Sequence, residues 1–359
     1  GGLNQGCTHF SKRPLSAITR SAYDPMAASM WQVSPANSMV EDTERPVGAS
    51  LKGLSRRPGM PFFECCKKKR PVTSGFLNLL KPPGMTSFDV IRMLNRQVPS
   101  LKLGHSGTLD LPACGVLVLA VGKATKFLPY LLEEKEYLFE VVFGLETDTG
   151  DFWGKIVRTS REPIQPSSLE KILPQFHGPL VQEVPSFSAK HHEGRRLYQM
   201  AVQEVEPPVL HTSAVEVFSL RLLDFLQGTY PRARFWAHCS GGTYVRALAR
   251  DIGKALDSAA CARFIVRLCC SGFHLEESVT LEEISHGCFP LLPVEQGLSH
   301  LPLEVLADTY LANFTSGKPV PTGQTGGNGL FRVCDRRSHF LGVGKRQSER
   351  LLVAERLWR

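Results

Sequence analysis

The run Gly104-His105-Ser106-Gly107-Thr108-Leu109-Asp110, leading into Leu111-Pro112-Ala113-Cys114-Gly115-Val116-Leu117-Val118-Leu119-Ala120-Val121, organises the reading of this chain. Two glycines within four residues let the backbone turn tightly and let a large ligand approach it, and a carboxylate follows at once. An aspartate in such a place is most often a turn or cap residue; the alternative is a carboxylate presented at the mouth of a cleft. Residues 116–121 are short and wholly apolar, which predicts a buried strand.

Working outward, residues 75–80 predict a strand and Lys81-Pro82-Pro83-Gly84 a turn. Thr86 or Ser87 then caps a helix whose apolar residues Val90, Ile91, Leu94 and Val98 recur at helical spacing. On the other side come a helix at 124–132 and a strand with alternating faces at 137–143. Further strands are predicted at about 211–226 and 232–239, a helix at about 243–256, and a strand or helix around 262–269. Strands and helices in this order, without regular βαβ alternation, predict an α+β fold with a largely antiparallel or mixed sheet.

The two ends differ from this body. Residues 1–74 are rich in Ser, Pro, Gly and Arg, lack apolar periodicity and close on Lys67-Lys68-Lys69-Arg70, the composition of a disordered basic leader. Beyond a body of 75–290, residues 291–359 contain strand-like runs at 329–333, 340–343 and 351–353, separated by turn residues. They predict a small β-rich C-terminal domain.

The chain has 359 residues, with 42 Lys and Arg against 34 Asp and Glu, a formal charge of +8. A basic protein invites a nucleic-acid partner only if its charge lies on the surface that meets the nucleic acid. Residues 1–74 hold 11 basic and 5 acidic side chains, 75–300 hold 22 and 24, and 301–359 hold 9 and 5. The surplus is terminal, so bulk charge says little about the body. Ten cysteines form no CxxC pair, which excludes a zinc ribbon or a dithiol redox motif and suits reduced thiols in a cytoplasmic protein. Organelle import directed by the leader is the lesser alternative. No segment approaches the roughly 18 continuous apolar residues of a membrane span.

Among residues able to carry chemistry, Asp110 ends the glycine-rich loop. Arg246 opens a predicted helix in Gly242-Thr243-Tyr244-Val245-Arg246; it reads as a surface charge or as a bidentate partner that orients a carboxylate. Tyr137 begins a strand in Lys135-Glu136-Tyr137. Its ring reads as core packing with the hydroxyl at the rim, or as a platform for a nucleobase. Competing sets are weaker. His238 and Cys239 are neighbours on a strand and point to opposite faces. His191-His192 lacks further ligands at metal spacing, and Gly326-Gly327-Asn328-Gly329 is not followed by the Gly-Lys-Ser/Thr of a phosphate loop.

These pieces together resemble the TruB family of tRNA pseudouridine synthases. The resemblance is carried by residues 78–87, the loop ending at Asp110, Gly115-Val116-Leu117 and Gly122-Lys123-Ala124-Thr125-Lys126. It continues through Lys135-Glu136-Tyr137, Thr147-Asp148-Thr149-Gly150-Asp151, Ser188-Ala189-Lys190 with 194–198, and Gly242-Thr243-Tyr244-Val245-Arg246. It implies a mixed β-sheet flanked by helices with an RNA cleft, and a small PUA-like C-terminal domain. It also implies a reaction without cofactor or metal, in which uridine 55 of the tRNA TΨC arm becomes pseudouridine.

By the same resemblance Asp110 is the catalytic carboxylate, Arg246 its partner, and Tyr137 the residue that stacks on the target base. Tyr244 and Ile265 line the uracil pocket, and His105 helps the nucleotide flip out of its loop. Lys81 contacts RNA, as do Lys190, Arg195 and Arg196 of a clamping insertion at about 184–205. The partner implied is the T-arm stem-loop of tRNA, bound by a monomer that needs no protein partner and no membrane. The competing expectation is an RNA-binding, tRNA-folding chaperone with weak or lost isomerase activity. Leu111-Pro112-Ala113-Cys114-Gly115 replaces the family's usual Pro-Leu-Ala-Thr-Gly, and Val266, Leu268 and Ser271 stand where Arg, Thr and Gly are usual.

Overall fold

The computed structural model describes residues 74–97, 99, 102–185, 191–192, 195–196, 211–286, 289–323 and 329–359, which belong to one compact unit running from Lys69 to Arg359. The leader expected at 1–74, together with Val98, Lys190 and Gly326 to Asn328, falls almost wholly outside the described residues. In chain order the first elements are β1 (Gly75–Lys81), α1 (Ser87–Gln97), β2 (Leu103–His105) and β3 (Cys114–Val121). All eight residues of β3 are buried, as a strand apolar on both faces must be. Thr86 starts α1 by a reciprocal cap: its Oγ1 accepts from the Asp89 amide and Asp89 Oδ2 accepts from the Thr86 amide, both at 3.0 Å. Val90 and Leu94 then turn the helix's apolar stripe onto β1 and β3.

A 3₁₀ segment (Gly122–Tyr130) stands where an ordinary helix was expected, with Pro129 inside it. It leads to β4 (Lys135–Phe143), the hairpin β5 (Leu145–Thr147) and β6 (Ile156–Thr159), then α2 (Pro166–Ile172) and β7 (Gly178–Glu183). The short pair β8 (His191–His192) and β9 (Arg195–Arg196) precedes the long strands β10 (Thr212–Leu226) and β11 (Arg232–Cys239). Next come α3 (Val245–Lys254), β12 (Ala260–Cys270) and β13 (Phe273–His274). Residues 262–269 are therefore strand, with β12 inserted between β3 and β4.

Among the described residues these strands make one nine-stranded sheet in the order β1-β3-β12-β4-β11-β10-β7, with β2 on β3 and β13 on β12. Its pairs are antiparallel except β3 with β12. The expected alternation of β4 is corrected by its central place, since everything from Tyr137 to Phe143 is buried. Tyr137, Phe139, Val141 and Phe143 pack beneath Leu248, Ala249 and Ile252 of α3. On the other face Glu140 is wholly buried and accepts from Arg234 Nε at 2.9 Å and Arg263 Nη1 at 2.8 Å.

After α4 (Leu281–Ser285) and α5 (Val294–Gly297), the C-terminal region comprises β14 (Leu303–Leu306), α6 (Asp308–Thr315), β15 (Val320–Pro321), β16 (Leu330–Asp335), β17 (Phe340–Ser348) and β18 (Leu351–Leu357). Its five strands form a separate sheet ordered β14-β16-β17-β18-β15. Phe340, Val343 and Trp358 pack on Phe127, Phe76, Val116 and Val118, so the two sheets share an apolar cluster. No described helix is long and apolar enough to cross a membrane.

Candidate active site

Asp110 lies between β2 and β3, on a loop pinned from several sides. Ser87, at the start of α1, accepts from the Leu109 amide at 2.9 Å and donates to the Leu109 carbonyl at 3.3 Å. The Ser106 amide bonds Val118 O at 3.0 Å, and the Gly84 amide bonds Leu111 O at 2.8 Å. With the backbone held on both sides, the Asp110 carboxylate remains one-third exposed (34%).

Arg246, in the first turn of α3, is 2% exposed and is a structural cation rather than a surface one. Its Nε donates to Asp110 Oδ2 at 2.8 Å and its Nη1 to the Thr149 carbonyl at 2.7 Å. Nη1 also lies 3.7 Å from Asp151 Oδ2. The guanidinium thus spans two carboxylates, with its Nε on Asp110 and its Nη1 towards Asp151. Asp151 itself is buried, which raises its pKa; Arg246 opposes that rise, as do bonds from the Trp153 amide and the Thr149 hydroxyl, each 3.0 Å long. This residue was legible as the end of Thr147-Asp148-Thr149-Gly150-Asp151, but without knowledge of its contact with Arg246 the motif assigned it no role.

Tyr137 is 5% exposed, so the rim position expected for its hydroxyl is not what the fold adopts. The ring belongs to the same apolar cluster as Leu109 and Ile265, which is 4% exposed. Burial drives the phenol well above its ordinary pKa, partly offset by Arg267, so it stays protonated at neutral pH. Tyr244 immediately precedes α3 and is half-buried. Its amide donates to Gln182 Oε1 at 2.9 Å, and its carbonyl accepts from Gln182 Nε2 at 3.3 Å. His105, half-buried, ends β2 opposite Leu119.

Lys81, for which the resemblance implied an RNA contact, ends β1. It is wholly buried, and its Nζ donates to the carbonyls of Pro82 at 2.9 Å and Met85 at 2.6 Å. A side chain so enclosed holds the turn before α1. Of the expected clamp, Arg195 and Arg196 form β9, whereas Lys190 lies outside the described residues.

Other chemistry is disfavoured by the surroundings. His238 Nε2 faces Glu134 Oε2 at 2.9 Å, while Cys239 turns inward, where burial pushes its thiol up to about 11. Among the described residues no group of three or more His, Cys, Asp or Glu could hold a metal ion.

Residues 92–245 match the family described as TruB family pseudouridylate synthase (N terminal domain), and residues 304–358 match pseudouridine synthase II TruB, C-terminal. The tRNA pseudouridine synthase B of Synechococcus elongatus is 37% identical over 281 residues, covering 76% of this chain and 94% of that protein. The protein of the same name from Caldanaerobacter subterraneus subsp. tengcongensis is 38% identical over 281 residues, covering 77% and 96%. Among solved structures, an H/ACA RNP bound to a substrate RNA containing 2′-deoxyuridine and a Cbf5-Nop10-Gar1 complex each hold a similarly folded chain. Both superpose with a TM-score of 0.60 over 79% of this chain and 85% of theirs, at 20% and 22% identity. With a sheet of this fold and relatives alike over most of its length, the chain belongs to the TruB family of pseudouridine synthases.

Proposed function

We propose that this protein isomerises uridine 55 in the TΨC arm of tRNA to pseudouridine, with Asp110 as the catalytic carboxylate. The observation that carries this reading is the 2.8 Å pair between Asp110 and the buried Arg246, which aims a half-open carboxylate from a pinned loop. The reaction breaks the bond from N1 to C1′, forms one from C5 to C1′ and moves the C5 proton to N1. Atoms and electrons balance within the nucleotide, so a carboxylate near the sugar and a pocket that retains the free base suffice. Asp110 either attacks C1′ or removes the C2′ proton; in both routes Arg246 fixes its direction.

Flipping the target nucleotide out of its loop costs a few kcal/mol, recovered from contacts inside the pocket. Tyr137 and Ile265 supply an apolar wall for the uracil and Tyr244 its flank, while His105 stands at the loop's entrance. The Tyr137 phenol, kept neutral, can donate a hydrogen bond but is a poor base. Arg195 and Arg196, with Lys190, carry positive charge suited to the phosphates. In this reading the chain works in the cytoplasm as a monomer, with tRNA as its partner.

The test is a T-arm stem-loop RNA incubated with wild type and with Asp110→Asn, pseudouridine being scored by position. Wild type should convert the uridine at position 55, and the variant should bind the RNA and convert none. Binding by wild type without any product would leave a tRNA-folding protein in place of an enzyme. Product at another position would replace the site assignment, and turnover by the variant at the wild-type rate would remove Asp110 from the mechanism.

A further inference from the structure

The geometry points to Arg267 of β12 as a positioning residue that sets the Asp110 loop against Tyr137, a role that rests on the pseudouridine-synthase reading above. The reason begins in β3. One of its edges is covered by β1 from Gly115 to Val121. The other is covered by β2 only at Leu119 to Val121 and by β12 only at Cys114 and Gly115. Between these partners the sheet splays, and buried carbonyls on that edge need donors from elsewhere. Val118 O receives the Ser106 amide at 3.0 Å, and Val116 O receives Arg267 Nε at 2.7 Å. A side chain takes the place of a missing strand.

The same guanidinium continues into the loop. Nη2 donates to Gly107 O at 3.2 Å and Nη1 to Thr108 O at 3.3 Å, three and two residues before Asp110. Arg267 stands directly opposite Tyr137 in the β4–β12 register and lies against its hydroxyl. A bulge between Arg267 and Cys269 then brings Cys270 opposite Lys135, with its Sγ 3.5 Å from Ser106 Oγ, so a second residue of β12 braces the loop. Gly115 permits the approach: a Cβ there would lie 2.2 Å from the Arg267 carbonyl oxygen.

Arg267 is 1% exposed, and its guanidinium donates to three backbone carbonyls, those of Val116, Thr108 and Gly107. Desolvating a guanidinium in such a place is costly, and an apolar side chain would serve a strand core as well or better. What arginine adds is a rigid plane of donors at fixed angles, which a lysine ammonium cannot reproduce. One plane joins β3, the loop that carries Asp110 and the strand that carries Tyr137. A loop shift of about an ångström costs on the order of a hundredfold in rate while leaving most RNA contacts in place.

The experiment uses the full chain with Arg267→Lys and Arg267→Gln beside wild type and Asp110→Asn. It measures single-turnover pseudouridine formation on the T-arm stem-loop, RNA affinity and thermal melting. Both Arg267 variants should melt above the assay temperature and bind RNA within about threefold of wild type, yet react at least about thirtyfold more slowly, the Lys variant included. An Arg267→Lys protein that reacts at the wild-type rate overturns the role. So does one that is unfolded, or that loses affinity in step with rate, because the residue then serves folding or binding. A wild type that binds without forming pseudouridine overturns the functional reading beneath it, whereas an active wild type with an equally active Lys variant overturns only Arg267.

Discussion

Arg246 donates from Nε to Asp110 Oδ2 at 2.8 Å across 136 positions of sequence, and the same guanidinium leans on Asp151 at 3.7 Å. The pair is therefore the outer half of a buried bridge that joins α3, the glycine-rich loop and the turn after β5. In the proposed role its value is direction: a carboxylate that is free to rotate samples many orientations, and one tied to a buried guanidinium samples few.

Arg246→Lys should separate direction from charge. An ammonium keeps the positive charge but cannot reach Asp110, the Thr149 carbonyl and Asp151 from fixed angles. We expect single-turnover pseudouridine formation to fall on the order of a hundredfold, with RNA affinity changed by no more than a few-fold. Equal losses of rate and affinity would assign Arg246 to RNA binding.

Lys81 should give stability an unusual pH dependence. Burial lowers its pKa from 10.5 to about 8 in the folded protein. Between those values the unfolded chain holds more protons than the folded one, so the unfolding free energy rises with pH. Below pH 8 the ammonium is charged in both states and its burial costs stability; approaching pH 10.5 that cost disappears. Measured by denaturant melts, wild type should gain on Lys81→Met by up to about 2 kcal/mol between pH 7 and 10, one pKa unit being worth about 1.4 kcal/mol. A difference that is flat across this range would refute the account.

Ser271 occupies the position where the family usually has glycine, and its φ of 57° explains the preference. A non-glycine residue in the left-handed region costs about 1–2 kcal/mol, part of which glycine returns through the greater freedom of its unfolded chain. Ser271→Gly should therefore stabilise the protein by about 0.5–1 kcal/mol, read as a rise of a few degrees in Tm. A fall in Tm would show that the 3.8 Å contact of its hydroxyl with the Cys270 thiol outweighs the backbone term.

Gly115 and Gly178 have positive φ values of 115° and 84°, but only one of them has a neighbour in the way. An added Cβ would meet the Arg267 backbone at 2.2 Å in the first case and nothing within 4 Å in the second. Gly178→Ala should cost about 1–2 kcal/mol, the price of the backbone conformation alone. Gly115→Ala should exceed about 4 kcal/mol or prevent folding, since β3 and β12 must part. Urea denaturation of both variants makes the comparison, and similar losses would contradict the close approach.

Much of this was written in local pattern. The apolar run of β3, the cap at Thr86 and the alternating buried positions of β11 depend on neighbours within a few residues, so the sequence announces them. The ordered motifs likewise pointed to Asp110 and Arg246. Local pattern misjudged β4, because alternation assumes one wet face and this strand lies at the middle of the sheet. Nor does anything in Lys81-Pro82-Pro83-Gly84 say that the ammonium folds back onto its own turn.

What the sequence determined by itself was which short segments become strands, turns and caps, and which family motifs they carry. What only the tertiary structure decided was the partner of each buried charge: Arg246 between Asp110 and Asp151, and Arg267 between β3, the loop and Tyr137. Those contacts join residues 95 to 160 positions apart. A buried cation must find its acceptors wherever the packed chain places them, and that placement follows from sheet order and register, which no local window contains.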